Sequence, residues 1–496
     1  MKNALIICIL LLNPFIILSE TSSYDYSSYS ASSTDTSLSG TSISSTTSGQ
    51  SAVYITKSGI TISNTQITKS GDISSDSTEN SEFYGVNSAV LVNGGGLTMT
   101  GGSISTSAKG GNALVATNGG TVTISGTTVT STGSGSARGL HATYGGTITA
   151  SSVTVSSTGG SCATLATDRG EGTVTCTGCT LTTSGAGSPL IYSTGAITVE
   201  STTGTSNAAQ AVVVEGKNSA TIKSSSKLSC TASPNGRNDT CGILIYQSQS
   251  GDADTGTSSF TCNSSTIEIV STSSYYNSAP MFYVTNTAAN IALTKCTFTY
   301  GSGVFINIGK GSWGSSGSNG GSVTMNLTKQ DIVGNIVVDS ISGLTLKLVG
   351  SSITGTINGD KTACKLSITL DSASKITLTG NSYYTSLSNS DSSSSNIVTG
   401  SYTWEKYDES EIPSSGSGSS GTPGSSGTPG NSTNPGPSGT PGNSSNPGPS
   451  GTPGNSSSSD TSDNSDEVFD TYSYSKNLNI CKSIVYSIVL MLLIFV

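Results

Sequence analysis

Short β-alternating runs recur along this chain at a nearly constant interval. GLTMT begins at Gly96, GTVTIS at Gly120, GTITAS at Gly146, GTVTCT at Gly172, GAITVE at Gly195 and SATIKS at Ser219, in steps of 24, 26, 26, 23 and 24 residues. One unit, GTVTISGTTVTSTGSGSARGLHATYG, holds three short β stretches (TVTIS, TTVTS and GLHAT) parted by Gly/Ser corners. An interval in the low-to-mid twenties belongs to solenoids, and the Leu/Asn ladder that a leucine-rich repeat would need is absent. Three strands per turn with almost no helix signal predict an all-β parallel β-helix built from three-strand coils of about 23–26 residues. Coils of this kind stack at ~4.8 Å, and inward Val, Ile, Leu and Ala form one continuous core. The pattern loosens after Ser250 but persists in SSFTCNSSTIEIV, NIALTKCTFTY, GSVTMNL, LTLKLVGSSITGTI and KITLTG, so the solenoid is expected over residues 51–412, with SYTWEKYDESEI (401–412) as its C-terminal cap.

The flanks read differently. Residues 1–19 carry Lys2, an apolar run and a small residue at Ser19, the pattern of a secretory signal peptide. Residues 20–50 are mostly Ser, Thr, Tyr and Gly and are expected to be a disordered leader. Over 413–475 a Pro/Gly/Ser/Thr-rich unit repeats (PSGTPGNSSNPG and its variants), too rich in Pro and Gly to pack a core, which makes a disordered, glycosylated stalk. Residues 476–496 end in SIVYSIVLMLLIFV, short of the ~20 apolar residues that span a bilayer. A GPI-attachment signal is the preferred reading, with a single-pass C-terminal membrane anchor as the alternative. Both place the protein on the extracellular side of the plasma membrane. N-glycosylation sequons begin at Asn238, Asn263, Asn326, Asn431, Asn443 and Asn455.

Cys8 and Cys481 fall in the terminal segments, leaving Cys162, Cys176, Cys179, Cys230, Cys241, Cys262, Cys296 and Cys364 in the ectodomain. An even number in an oxidising compartment implies up to four disulfides of undetermined pairing. The Cys176-x-x-Cys179 spacing lacks the second ligand pair that zinc would need. A net charge of −9 with only 20 Lys+Arg argues against nucleic-acid binding.

Charge is scarce, at 10% of residues against roughly 25% in ordinary soluble domains, so its placement is informative. LATDRGEG (165–172) holds Asp168, Arg169 and Glu171, and counting back from the repeat anchors puts Asp168 in phase with Glu215 two coils on. Lys217 flanks the second carboxylate, while Tyr144, Tyr192 and Tyr246 sit near the same phase. The candidate ligand-binding residues are therefore Tyr144, Asp168, Arg169, Tyr192, Glu215, Lys217, Tyr246 and Trp313, the last in the loop GKGSWGSSGSNGG. Aromatic rings beside carboxylates suit a sugar, which offers apolar faces and hydroxyl edges. The candidate catalytic residues are Asp168, Arg169, Glu215 and Lys217. A two-coil separation of ~9–10 Å fails the retaining-glycosidase geometry and lies at the edge of the inverting one. The plain alternative is a solvated corner holding one local ion pair. Asp252 and Asp254, in GDADTG, form part of a calcium-type loop without its further acidic ligand. Arrays of Thr-x-Thr, as at Thr121/Thr123, Thr147/Thr149 and Thr173/Thr175, raise ice recognition as a rival, against which stand the uneven coil lengths and the alanines at 196 and 220.

The segments LHATYGGTITA, LATDRGEGTVT, VVVEGKNSATI, GILIYQSQSGDADTGTSSF and GSWGSSGSNGGSVTM resemble secreted right-handed parallel β-helix proteins of the pectin-lyase-like superfamily, of clostridial and gut-bacterial type. The resemblance covers about residues 85–385 and leaves out the stalk and tail. It implies the fold rather than a reaction. Some members bind acidic carbohydrate with calcium, so it implies a glycan partner and admits Ca²⁺. The resulting expectation is a surface-anchored structural or adhesive protein that binds carbohydrate, with a polysaccharide lyase or glycoside hydrolase using the same corner as the alternative.

Overall fold

A computed structural model describes residues 27–30, 37–73, 78–234 and 239–408. The expected signal peptide, stalk and tail, and the sequons at Asn238, Asn431, Asn443 and Asn455, lie outside the described residues. Among those described, no helix is long and apolar enough to cross a membrane.

The described chain is a parallel β-helix. Sheet 1 has 12 strands, sheet 2 has 14 and sheet 3 has 10, and in each sheet a strand pairs with its counterpart one coil earlier and one coil later. A four-stranded sheet and a two-stranded sheet complete the C-terminal coils. Alternation along each strand sends one set of side chains inward. In sheet 2 the inward ladder runs Leu97, Val122, Ile148, Val174, Ile197, Ala220 and Phe260, each paired with the next and each buried. Where the coils widen, the core fills with aromatics: Phe282 makes edge contacts with Phe260, Phe298 and Phe305 at 5.3–5.6 Å between ring centres.

The turn from sheet 2 to sheet 3 is nearly invariant. In most coils it consists of one residue in the left-handed region, such as Asn64, Gly126, Ser152, Gly178, Ser201 or Ser264, and at Thr65, Thr127, Thr202, Ser226 and Ser265 the last residue of the turn is a buried polar side chain. That polar side chain ties one coil to the last. The Cys179 N–H donates to Thr202 Oγ1 (3.3 Å), the Thr202 N–H to Ser226 Oγ (3.1 Å) and the Ser226 N–H to Ser265 Oγ (3.2 Å). The relay continues as Cys296 N–H to Gln330 Oε1 and Gln330 N–H to Ser351 Oγ. These contacts satisfy backbone groups that would otherwise be orphaned inside the corner.

Coil length varies elsewhere. Between sheets 3 and 1 the connection runs from four residues after Thr299 to twelve after Ile269 and twenty after Lys69. Between sheets 1 and 2 it reaches twelve between Ile308 and Gly321. Insertions thus collect around sheet 1, and the only helix among the described residues, α1 (Thr78–Tyr84), is one of them.

Two expectations change. The leader 20–50 contributes strands Ser37–Ser39 and Ser42–Ser45 to the solenoid, because Leu38 and Ile43 supply the single inward apolar side chain that a short strand needs. Of the possible four disulfides, two form, Cys176–Cys179 and Cys262–Cys296. Cys162, Cys230 and Cys241 remain buried thiols used as core packing, while Cys364, half-buried, precedes strand Lys365–Leu370. Residues 401–408 of the expected cap are described, and there Trp404 packs on Tyr384 and the Tyr407 hydroxyl accepts from Asn358.

Phe282 is the shared member of the aromatic group, so Phe282→Ala is expected to lower unfolding stability by about 3–5 kcal/mol, read as a shifted denaturant midpoint.

Candidate functional site

The outward side chains of sheet 1 follow from its register: His141, Ala166, Tyr192, Val213, Leu244 and Tyr283 form one column. The inserted segments lie over it, so these outward residues are largely covered. His141 is 0%, Val213 5% and Leu244 0% exposed, and the last two pack with Cys241 as a small second core.

Helix α1 is fastened to this face by polar contacts. The Glu82 carbonyl lies 2.7 Å from His141 Nε2, and the Phe83 carbonyl accepts from Thr143 Oγ1 at 2.7 Å. The Arg169 guanidinium lies 3.8 Å from the Phe83 ring centre, and Tyr84 stacks parallel on Tyr144 at 5.3 Å. The short contact to Glu82 makes Nε2 the protonated nitrogen of His141, so the 3.2 Å approach of Arg138 Nη1 to the same atom is not a second hydrogen bond. Arg138 instead donates to Asp168 Oδ2 at 2.6 Å.

The register sets Asp168 three residues past Leu165 and Glu215 three past Val212, two coils apart and in phase as expected. Neither lines a solvated corner: Asp168 is 3% and Glu215 1% exposed. Asp168 is taken up by Arg138 and by the Arg169 N–H. Glu215 Oε2 accepts the hydroxyls of both Tyr192 and Tyr246, each at 2.7 Å, while its Oε1 has no hydrogen-bond partner. Burial and the facing Glu215 push both tyrosine hydroxyls well above the ordinary phenol range.

The LATDRGEG turn is a tight reversal with Gly170 and Glu171 both at positive φ. A Cβ on Gly170 would lie 2.4 Å from the Tyr144 ring, so glycine is required there. Its cations are matched by acids. Arg169 Nη2 pairs with Asp252 at 2.9 Å, and Lys217 Nζ bridges Glu171 (2.6 Å) and Asp254 (3.1 Å). Both calcium candidates, Asp252 and Asp254, are thus engaged by cations. Asp252 and Asp254 face Arg169 and Lys217 rather than each other, and no group of three or more metal-ligating side chains is found among the described residues. The donor set does not fit a calcium ion.

Farther along, a hollow of about 440 Å³ opens at the corner from sheet 1 to sheet 2, lined by Gln247, Ser248, Asn286, Thr287, Gly314 and Ser318 among others, none of them charged. A second hollow of about 460 Å³ shares Asn286, Thr287 and Ser318 and runs on to Lys365. The loop beside it is held by Asn319, whose Nδ2 donates to the carbonyls of Gly311 and Trp313. The half-buried Trp313 ring stands 6.4 Å from that of Tyr246. Asn263 and Asn326 are exposed on sheet 2.

Of the residues singled out by the sequence, the structure joins Tyr192 and Tyr246 to Glu215 and leaves Asp168 two coils away on Arg138; Glu82, Arg138 and His141 were not among them. A signal was present for His141, the single histidine of the chain, which stands in strand Leu140–Ala142 at the outward position.

Two buried groups here respond to pH with opposite sign. Desolvation raises the Asp168 carboxyl to about 7 against the pull of Arg138. Desolvation opposes the Arg138 charge, but Asp168 and Glu82 outweigh it, and a guanidinium keeps its proton, so Asp168 is the member that titrates. Its contribution to stability is present below the unfolded value of ~4 and is lost as pH rises to about 7. Desolvation and then Arg138 lower His141 to about 3, so its contribution is lost as pH falls from ~6.5. Denaturant midpoints measured against pH should therefore fall with rising pH in His141→Gln between ~4 and ~7, and fall with decreasing pH in Asp168→Asn below ~6.5.

A comparison of the chain with protein-family models, with curated proteins and with solved structures found no match.

Proposed function

We propose that this protein is a surface-displayed adhesive rod that contacts neutral glycans through the loop layer over sheet 1. Support comes chiefly from the uncharged hollow lined by Gln247, Asn286, Thr287 and Ser318, beside Trp313. Amides and hydroxyls offer both donors and acceptors to sugar hydroxyls, and an aromatic ring offers a sugar an apolar face. The exposed Tyr84, stacked on Tyr144, adds a second aromatic surface on the same side. The partner is read as neutral rather than acidic because no residue lining the first hollow is charged, and Arg138, Arg169 and Lys217 are each already matched to a carboxylate. The lyase or hydrolase alternative loses its best pair, since Asp168 and Glu215 are covered and engaged with Arg138, Tyr192 and Tyr246.

The full chain should be retained on immobilised neutral polysaccharide without releasing reducing or unsaturated ends. Trp313→Ala should weaken retention about fivefold, the equivalent of ~1 kcal/mol of stacking. Preferential retention on polygalacturonate, or turnover, would count against this reading.

The expected leader and tail place the rod outside the cell on its Pro/Gly-rich stalk. Phosphatidylinositol-specific phospholipase should then release it from intact cells; persistence on the membrane would point to a spanning anchor.

A further inference from the structure

We infer that the outer face of sheet 2 is an ice-binding surface. Register carries one unbroken column of threonine from Thr61 through Thr98, Thr123, Thr149 and Thr175 and on to Thr261. Every rung of that column is threonine until Ala292. The two features that argue against such an array do not touch it. Uneven coil length is taken up around sheet 1, while Ala220 points into the core and Ala196 belongs to a flanking column.

Strand propensity alone does not produce this column. Sheet 3 has two outward columns and neither matches it: one runs Ser105, Thr130, Ser156, Thr182, Thr205, Ser229 and then Glu268, and the other holds four threonines, Thr128, Thr154, Thr180 and Thr203, between Ser103 and Lys227. Serine would serve solubility equally well on sheet 2. What threonine adds is a β-branched side chain held stiff at χ1, so methyl and hydroxyl repeat in one arrangement from rung to rung.

The spacing defines the partner. Rungs repeat at ~4.8 Å across the strands, and outward positions repeat at ~6.7 Å along them. Oxygen rows on the prism faces of ice recur at closely similar distances in two perpendicular directions. From Thr61 to Thr261 the seven steps make a column of roughly 34 Å. The flanking columns are mainly Ser and Thr, such as Thr121, Thr147 and Thr173 on one side and Ser125, Ser151 and Thr177 on the other. No charge enters any of the three columns before Glu200, which pairs with Lys223 at 3.3 Å. Protein partners favour aromatic and arginine anchors, and this face has none. A charged polymer would find nothing to pair with. An uncharged lattice of hydrogen-bonding groups fits, and water ice supplies it. The glycan reading of the loops over sheet 1 is independent of this face.

The test uses purified full-length protein in frozen solution, scored by ice-grain growth on annealing and by enrichment in ice grown slowly on a cold surface. The native protein should suppress grain growth and enter the ice. Thr123→Tyr with Thr149→Tyr should raise the concentration needed at least tenfold. Thr128→Tyr with Thr154→Tyr, equally bulky changes at exposed positions of sheet 3, should leave it unchanged, with circular dichroism confirming that both variants fold. Absence of activity in the native protein, or equal loss in both variants, would overturn the proposal. So would adsorption of the native protein to crystalline chitin or cellulose without an effect on ice, or a dimer in solution that the Thr123/Thr149 pair alone disrupts. Loss of glycan retention in Trp313→Ala would leave the ice result untouched.

Discussion

At most turns from the second sheet to the third, one residue enters the left-handed region and the side chain after it turns inward, and at Thr202, Ser226 and Ser265 that side chain accepts the N–H of the coil before. Glycine, asparagine and serine tolerate that conformation best, and a short hydroxyl fits the space that remains. The connection stays at two residues in nearly every coil and lengthens to three only at Ser224–Ser226, where Ser226 still accepts the Thr202 N–H; a buried N–H left unsatisfied there would cost about 1–3 kcal/mol. Sheets 2 and 3 are therefore locked to each other, and variation in coil length has to appear beside sheet 1.

The two exposed sides of the rod follow from this partition. Sheet 2 stays bare and in register, and its outward residues form columns. Sheet 1 receives every long insertion, so its outward face becomes a second, smaller interior. Polar groups caught there must find partners, because an unpaired buried charge is far more costly than an exposed one. Arg138 with Asp168, Arg169 with Asp252 and Lys217 with Asp254 are pairs of this kind that fasten the loops down, while Glu215 accepts Tyr192 and Tyr246 from neighbouring strands on one of its two oxygens. The charged ribbon is thus primarily a device for attaching insertions to a sheet. The surface proposed for a ligand lies where those insertions end, beside Trp313 and at Tyr84.

Much of this was legible in the sequence. The repeat interval and the alternation within GTVTIS and its relatives specify parallel coils, and phase alone placed Asp168 and Glu215 two rungs apart. Burial was the hidden part. Phase says which residues share a corner, but α1 arrives from more than fifty residues upstream to cover Arg138 and His141, and nothing in the local pattern announces that contact. The first coil was obscured for a different reason. Around Leu38 and Ile43 the strands have one inward apolar residue each, which is below what periodicity can resolve amid serine. The threonine column was hidden by the anchors themselves, since Gly96 pairs with Thr121 rather than with Gly120. Counting from glycines misjudged two of the five steps by one, and the coils do differ in length, yet the strands of sheet 2 pair in step.

Coil length and strand register are therefore separate quantities in this fold. A solenoid whose length changes fall in all three turns would have three irregular faces and no extended lattice. Confining the changes to the turns around sheet 1 leaves one face able to present a repeating pattern while another acquires individual loops and hollows. Stability in such a rod is close to a sum over coils and their neighbours, so an insertion beside sheet 1 perturbs only adjacent coils and leaves distant rungs of sheet 2 in place. Repetition on one side and variety on the other thus come from a single tight corner, made from a left-handed residue and a buried hydroxyl.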